Sequence, residues 1–182
     1  QALEANTTGS HNIGIGNSSL AANTTGDQNV ALGYKALQDH TGSYTVALGS
    51  QALTNNTTGG SNVAIGFRSL QTNTTANYNV AIGYDALYTN NADANTAVGH
   101  SVLYANTTGS KNAAVGYQAL DANTTGASNT AVGYDALGAN TTGSYNTALG
   151  DRALATQSTN GNNTAVGYKA LKVNIATGNS AF

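Results

Sequence analysis

Cysteine, proline, methionine and tryptophan are all missing from the 182 residues, Phe occurs only twice, and charge is scarce, with six Lys and Arg against eight Asp and Glu. Without cysteine there is neither a disulfide framework nor a thiolate zinc site, and the redox compartment stays open. A net charge of -2 with no Lys/Arg cluster leaves nothing to neutralise a run of phosphates, so nucleic acid is not an expected partner. No run approaches the roughly 18 apolar residues of a membrane helix, so membrane insertion is not expected either. Gln1 opens directly inside repetitive sequence with no basic, then apolar, leader. What remains is rich in Asn, Thr, Gly and Ala, a composition unlike that of an ordinary packed core and one that points first to repetition.

The repeat is unbroken. A motif of Asn, variable, Ala, aliphatic, Gly recurs, as in Asn29-Val30-Ala31-Leu32-Gly33, Asn62-Val63-Ala64-Ile65-Gly66 and Asn129-Thr130-Ala131-Val132-Gly133. Its Gly falls at 16, 33, 49, 66, 83, 99, 116, 133, 150 and 167, in seven steps of 17 residues and two of 16. Four residues after that Gly stands a Leu, from Leu20 and Leu37 to Leu154 and Leu171. A third landmark, Asn-Thr-Thr-Gly, appears at Asn6, Asn23, Asn56, Asn106, Asn123 and Asn140 and erodes at His40-Thr41-Gly42 and Asn90-Asn91-Ala92. Both short steps contain an eroded copy, so deletions fall where a repeat fold tolerates them, in a turn.

Alternation of large and small residues in Val30-Ala31-Leu32 has a period of two and predicts a strand. Gly33-Tyr34-Lys35 and Asn-Thr-Thr-Gly predict two turns, the second with Asx-type bonding. One repeat then reads strand, turn, strand, turn. The chain is therefore expected to be all-β: a β-solenoid, or parallel β-roll, of ten to eleven rungs of 16 to 17 residues with two short strands per rung. Rungs spaced at about 4.8 Å make a rod section of roughly 50 Å. Residues 1–182 form a single array cut within a repeat at both ends: Asn179-Ser180-Ala181-Phe182 stops before its Gly, and Gln1-Ala2-Leu3 starts where Gln118-Ala119-Leu120 stands elsewhere. With no cap visible at either end, a segment of a longer fibre is favoured over a subunit that stacks head to tail.

So thin a coil has little interior. The few sizeable aliphatics of each rung do not offset the backbone entropy of ordering it. The strand rank Val30, Leu32, Val46, Leu48, Val63, Ile65, Val80, Ile82, Val98, Val115, Val132, Leu149 and Val166 is accordingly expected to be buried against other copies of the chain, and homo-oligomerisation follows.

No singular constellation suited to catalysis stands out from the periodicity, so an enzyme is not expected, and no cofactor or metal either. His11, His40 and His100 fall in different rungs at different repeat positions and read as solvated turn residues. The column two after the motif Gly, with Lys35, Arg68, Asp85, Asp135, Arg152 and Lys169, is expected to face water, with Arg68 beside Asp85 and Asp135 beside Arg152 one rung apart. The preceding column holds Tyr34, Phe67, Tyr84, Tyr117, Tyr134 and Tyr168. Such a file can stack on sugar rings as a strip for cell-surface glycan, but packing over an adjacent turn is favoured. The Thr-Thr pairs raise an ice-binding solenoid as a rival. Adjacent strand residues face opposite sides, however, so each pair gives only one outward file.

The Asn-x-Val/Thr-Ala-Ile/Val-Gly pattern resembles the head repeats of trimeric autotransporter adhesins of the YadA type, and the longer Asn-Thr-Ala-Val-Gly-Tyr-x-Ala-Leu-x-x-Asn-Thr-Thr-Gly unit resembles repeats of phage and bacterial tail-fibre-like proteins. The resemblance spans essentially the whole chain. It implies a left-handed roll, three chains about one axis, and an adhesive head or fibre shaft outside the cell: on a virion tail, a bacterial surface or a secreted filament. The expected function is a non-enzymatic structural or adhesive repeat, the alternatives being a filament subunit that polymerises end to end and a Thr-rich ice-binding solenoid.

Overall fold

The computed structural model describes residues 1–173 and 176–182. Among them there is no helix, and therefore none long and apolar enough to cross a membrane. The array coils into a β-solenoid whose single sheet has 11 parallel strands in chain order. These are β1 (Ile13–Ile15), β2 (Val30–Leu32), β3 (Val46–Leu48), β4 (Val63–Ile65), β5 (Val80–Ile82), β6 (Thr96–Val98), β7 (Ala113–Val115), β8 (Thr130–Val132), β9 (Thr147–Leu149), β10 (Thr164–Val166) and β11 (Ser180–Ala181). Register follows the repeat: Val63 pairs with Val80, Ala64 with Ala81 and Ile65 with Ile82.

Each strand is short because its end is set by the motif Gly. Gly33 to Gly150 hold φ between +130° and +144°, which L side chains rarely adopt. A Cβ there would also collide with the rung above: at Gly116 it would lie 2.4 Å from the Gly133 carbonyl oxygen. The central strand residue points inward. Ala31, Ala47, Ala64, Ala81, Ala97, Ala114, Ala131, Ala148 and Ala165 are all fully buried. Opposite them stand the equally buried Leu20, Leu37, Leu53, Leu70, Leu87, Leu103, Leu120, Leu137 and Leu154. At Gly14, the first position of the small column, a Cβ would already lie 3.1 Å from Leu3 Cγ. The interior thus has room for one large column facing one small one.

The Leu wall differs from the expected second strand, and each rung carries one strand only. Ala36 and Leu37 are neighbours in the chain and both are fully buried. A period of two would force one of them outward. The backbone resolves this with left-handed residues on either side of Ala36, Lys35 at φ +58° and Leu37 at φ +51°, and the pattern repeats in every rung. A third left-handed file, His11, Gln28, Tyr44, Ser61, Tyr78, Ala94, Lys111, Ser128, Tyr145 and Asn162, precedes the strands. The wall is a stack of turns, still bonded from rung to rung: Leu20 N–H donates to the Ala36 carbonyl at 3.0 Å and Ala22 N–H to that of Gln38 at 2.9 Å.

The glycine file gives an internal comparison. At Gly167, φ is +123° but nothing lies within 4 Å of where a Cβ would stand. Gly167→Ala should cost roughly 1 to 3 kcal/mol from backbone strain alone. Gly116→Ala, which adds the collision with Gly133, should cost about 2 kcal/mol more, read as a larger drop in denaturation midpoint. Equal losses would show that rung spacing does not depend on this file.

Candidate functional site

Two files of asparagine run through the polar part of the interior. In the first, at the strand entrances, Asn29, Asn79, Asn95, Asn112, Asn129, Asn146, Asn163 and Asn179 each donate their backbone N–H to the Oδ1 of the asparagine one rung earlier, at 2.9 to 3.1 Å. The second file is the Asn of Asn-Thr-Thr-Gly. Its amide spans its own turn, as in Asn123 Nδ2 to the Gly126 carbonyl at 2.9 Å, and also donates to the previous rung, as in Asn123 Nδ2 to Asn106 Oδ1 at 2.8 Å. An amide carries both a donor and an acceptor, so a column of amides satisfies itself inside a coil that excludes water.

Where the file changes residue, a polar atom is stranded. Gln157 replaces Asn and donates to the Asn160 carbonyl, and the Asn140 Oδ1 one rung before it is buried without a partner. Where the turn is one residue short the file keeps its Asn, but Asn90 donates to the Ala92 carbonyl, and Asn73 Oδ1 is left buried and unbonded. His40 is the third exception. It is fully buried in this file and not solvated as expected, because its ring takes the place of an inward Asn amide. Its Nδ1 accepts from Asn56 Nδ2 at 3.0 Å, so the proton sits on Nε2, which has no partner. His11 is exposed, and His100 lies in an aromatic stack.

The aromatic column is placed on the outside, where its rings stack on one another. Phe67, Tyr84, His100, Tyr117 and Tyr134 follow at centroid spacings of 5.3, 5.0, 5.2 and 5.5 Å. The spacing is close to that of the rungs, so ring faces meet ring faces. Cations cover the end ring of the stack and two rings outside it: Arg152 over Tyr134 at 5.0 Å, Lys35 over Tyr34 at 5.4 Å and Lys169 over Tyr168 at 4.6 Å. This file presents edges and hydroxyls outward, with its faces largely occupied. A second stack, Tyr88 on Tyr104 at 5.2 Å, was not anticipated. Neither were the lone rings Tyr44, Tyr78 and Tyr145, each about two-thirds exposed. Their only sequence signal is a shared repeat position two residues before the strand, ahead of Thr45, Asn79 and Asn146.

The charged column departs from its expected exposure at Asp85, which is buried. Arg68 binds it with both ends of the guanidinium, Nε to Oδ1 at 2.8 Å, and lies over Phe67, Tyr84 and Tyr88 at 5.0 to 5.7 Å. Arg152 and Asp135 meet only at 4.0 Å. Burial raises the Asp135 pKa above the usual carboxylate range, opposed by Arg152 and reinforced by Asp151. Among the described residues no three His, Asp or Glu side chains are grouped so as to hold a metal ion.

The strand rank points away from this interior. Leu32, Val115, Val132 and Leu149 are exposed, and Val30, Val46, Leu48, Val63, Ile65, Val80, Ile82, Val98 and Val166 are half-buried. Ile13 and Ile15, 52% and 56% exposed, start the same two columns. The column ending each strand stays aliphatic throughout β1 to β10, whereas the column opening it changes from Val in β2 to β5 to Thr in β6 and in β8 to β10. The result is an apolar ribbon along the sheet, broader in its first half. The Thr-Thr turns offer no comparable surface. The first hydroxyl of the pair is bonded to the next rung, as in Thr107 Oγ1 to the Thr124 carbonyl at 3.0 Å and Thr141 Oγ1 to that of Ser158 at 2.9 Å.

Comparison with protein-family models, curated proteins and solved structures finds no match to any of them.

His40 makes the fold acid-sensitive. Desolvation holds its pKa down at about 4 from an ordinary 6.5. Between those values the unfolded chain binds more protons than the folded one. The contribution is therefore intact above about pH 7 and is lost as pH falls through 6.5 towards 4. Urea denaturation at pH 5 and pH 7.5 should show wild type losing about 2 kcal/mol more than His40→Asn, which restores the amide of the other rungs. Parallel pH profiles for the two proteins would rule out a buried neutral imidazole.

Proposed function

We propose that this array is a non-enzymatic structural and adhesive element, a rod segment of an extracellular fibre on a virion, a bacterial surface or a secreted filament, assembled as a homotrimer. One observation carries the reading: the interior is built from Ala, Leu and Asn, while the larger share of the β-branched and strand-borne aliphatic surface lies outside on one continuous ribbon. Apolar ribbons of this extent mark contact surfaces. A contact over one or two rungs would not offset the roughly 4 to 15 kcal/mol lost on association. A contact running the length of the array would, which favours copies lying side by side along their axes. Three chains would close the ribbon inward and leave the polar turns and the Tyr column in water. The scarcity of charge suits such a shaft, since a charge at one repeat position would otherwise stack on its like in every rung.

Light scattering over a concentration series tests this. The expected mass is three times 18.2 kDa. Ile65→Asp combined with Ile82→Asp, both outward on adjacent strands, should reduce it to 18.2 kDa with the strand circular dichroism signal retained. A wild-type protein that stays monomeric at every concentration would overturn the reading.

A further inference from the structure

The second short repeat opens a groove. Asn91 and Ala92 stand where other rungs have Thr-Thr-Gly, one residue short, and with Asp93 and the rungs on either side they line a polar, open depression of about 480 Å³. Its floor is explained by the left-handed file that precedes the strands. Tyr78, Ala94 and Lys111 are successive members of that file, so a methyl group stands between two long side chains. The notch they leave is two rungs wide, about 10 Å.

The groups lining the notch are of mixed hydrogen-bonding character. Asp93 accepts the Asn77 N–H with Oδ1 at 2.7 Å, which fixes the carboxylate and leaves Oδ2 free to accept. Asn91 receives the Thr74 N–H and hydroxyl on its Oδ1, at 3.2 and 3.0 Å, so its Nδ2 remains a donor. Ser110 adds a hydroxyl and Lys111 an ammonium. One carboxylate oxygen, one amide donor, one hydroxyl and one ammonium around an alanine methyl match a ring that carries alternating donors, acceptors and C–H faces. Asp93 disfavours a phosphate, and with Lys111 opposing its charge the site suits a neutral ligand.

The geometry points to a saccharide site here: a single pyranose ring of a glycan, seated on Ala94 beside Ser110 and Lys111 and held through Asp93 and Asn91. The site deepens the adhesive part of the proposed function and rests on it. The assembly state, measured by light scattering, stands or falls separately.

Saturation-transfer NMR on the intact chain tests the proposal, with the methyl pyranosides of glucose, galactose, mannose and N-acetylglucosamine as probes. Transfer to at least one is expected. Ala94→Tyr should bring it to background, because a ring at this file position, as at Tyr44 and Tyr145, closes the notch. Asp93→Ala should reduce it at least twofold; Ala127 occupies the equivalent position one rung beyond Ser110, so the fold accepts Ala there. Ser128→Tyr, the same change in another rung, should leave transfer unchanged. No transfer to any of the four, or transfer undiminished in Ala94→Tyr, overturns the site.

Discussion

Parallel stacking in register places every side chain about 4.8 Å from its own equivalent one rung away, and the rest of the molecule depends on that constraint. It makes small residues obligatory where backbones approach, as at the motif glycines. It favours groups that can bond to copies of themselves. Asparagine amides do so, which is how a polar residue comes to fill the interior of every rung. Flat rings do so as well, which is why Phe67, Tyr84, His100, Tyr117 and Tyr134 form a stack although none is buried in a core. A carboxylate stacks poorly on another carboxylate, and Asp85 is tolerated where Arg68 is the neighbour.

The same constraint makes each departure from the repeat visible. A residue that breaks a column leaves its neighbour without the partner the column would have supplied. Asn140 Oδ1 below Gln157 is stranded in this way, Asn73 Oδ1 is stranded below the shortened turn of Asn90, and His40 carries a buried Nε2 proton of its own. Outside, the consequence is a change of shape: the shortened turn at Asn91 and Ala92, with the small Ala94 beside it, leaves a depression. Interior departures therefore act on stability and exterior ones on what the rod can touch.

The placement of apolar surface links the fold to the proposed assembly. A rung this narrow accepts one Leu opposite one Ala, so the remaining large aliphatics are directed outward by the strand's own alternation. Excess apolar surface on a thin coil is thus a geometric outcome, and the proposed side-by-side packing of copies would remove it from water.

The strands, their register, the motif glycines and the turns were legible in the sequence because period alone encodes them: a step of 16 or 17 residues aligns Ala31 with Ala47 and Gly33 with Gly49 whatever the path between. The pairing of Arg68 with Asp85 followed from the same step. The second wall was not legible. Ala36-Leu37 reads as alternating strand, and only the packed coil shows that both side chains must enter the interior, which left-handed residues at Lys35 and Leu37 allow. The burial of His40 was hidden for a related reason. A histidine in a turn reads as solvated until the column it joins is seen to face inward. The sequence by itself determined what stacks on what, since that is a matter of spacing along the chain. Only the tertiary structure decided which columns face in and which face out, because that depends on backbone sign at each bend and on the room left by the opposite wall.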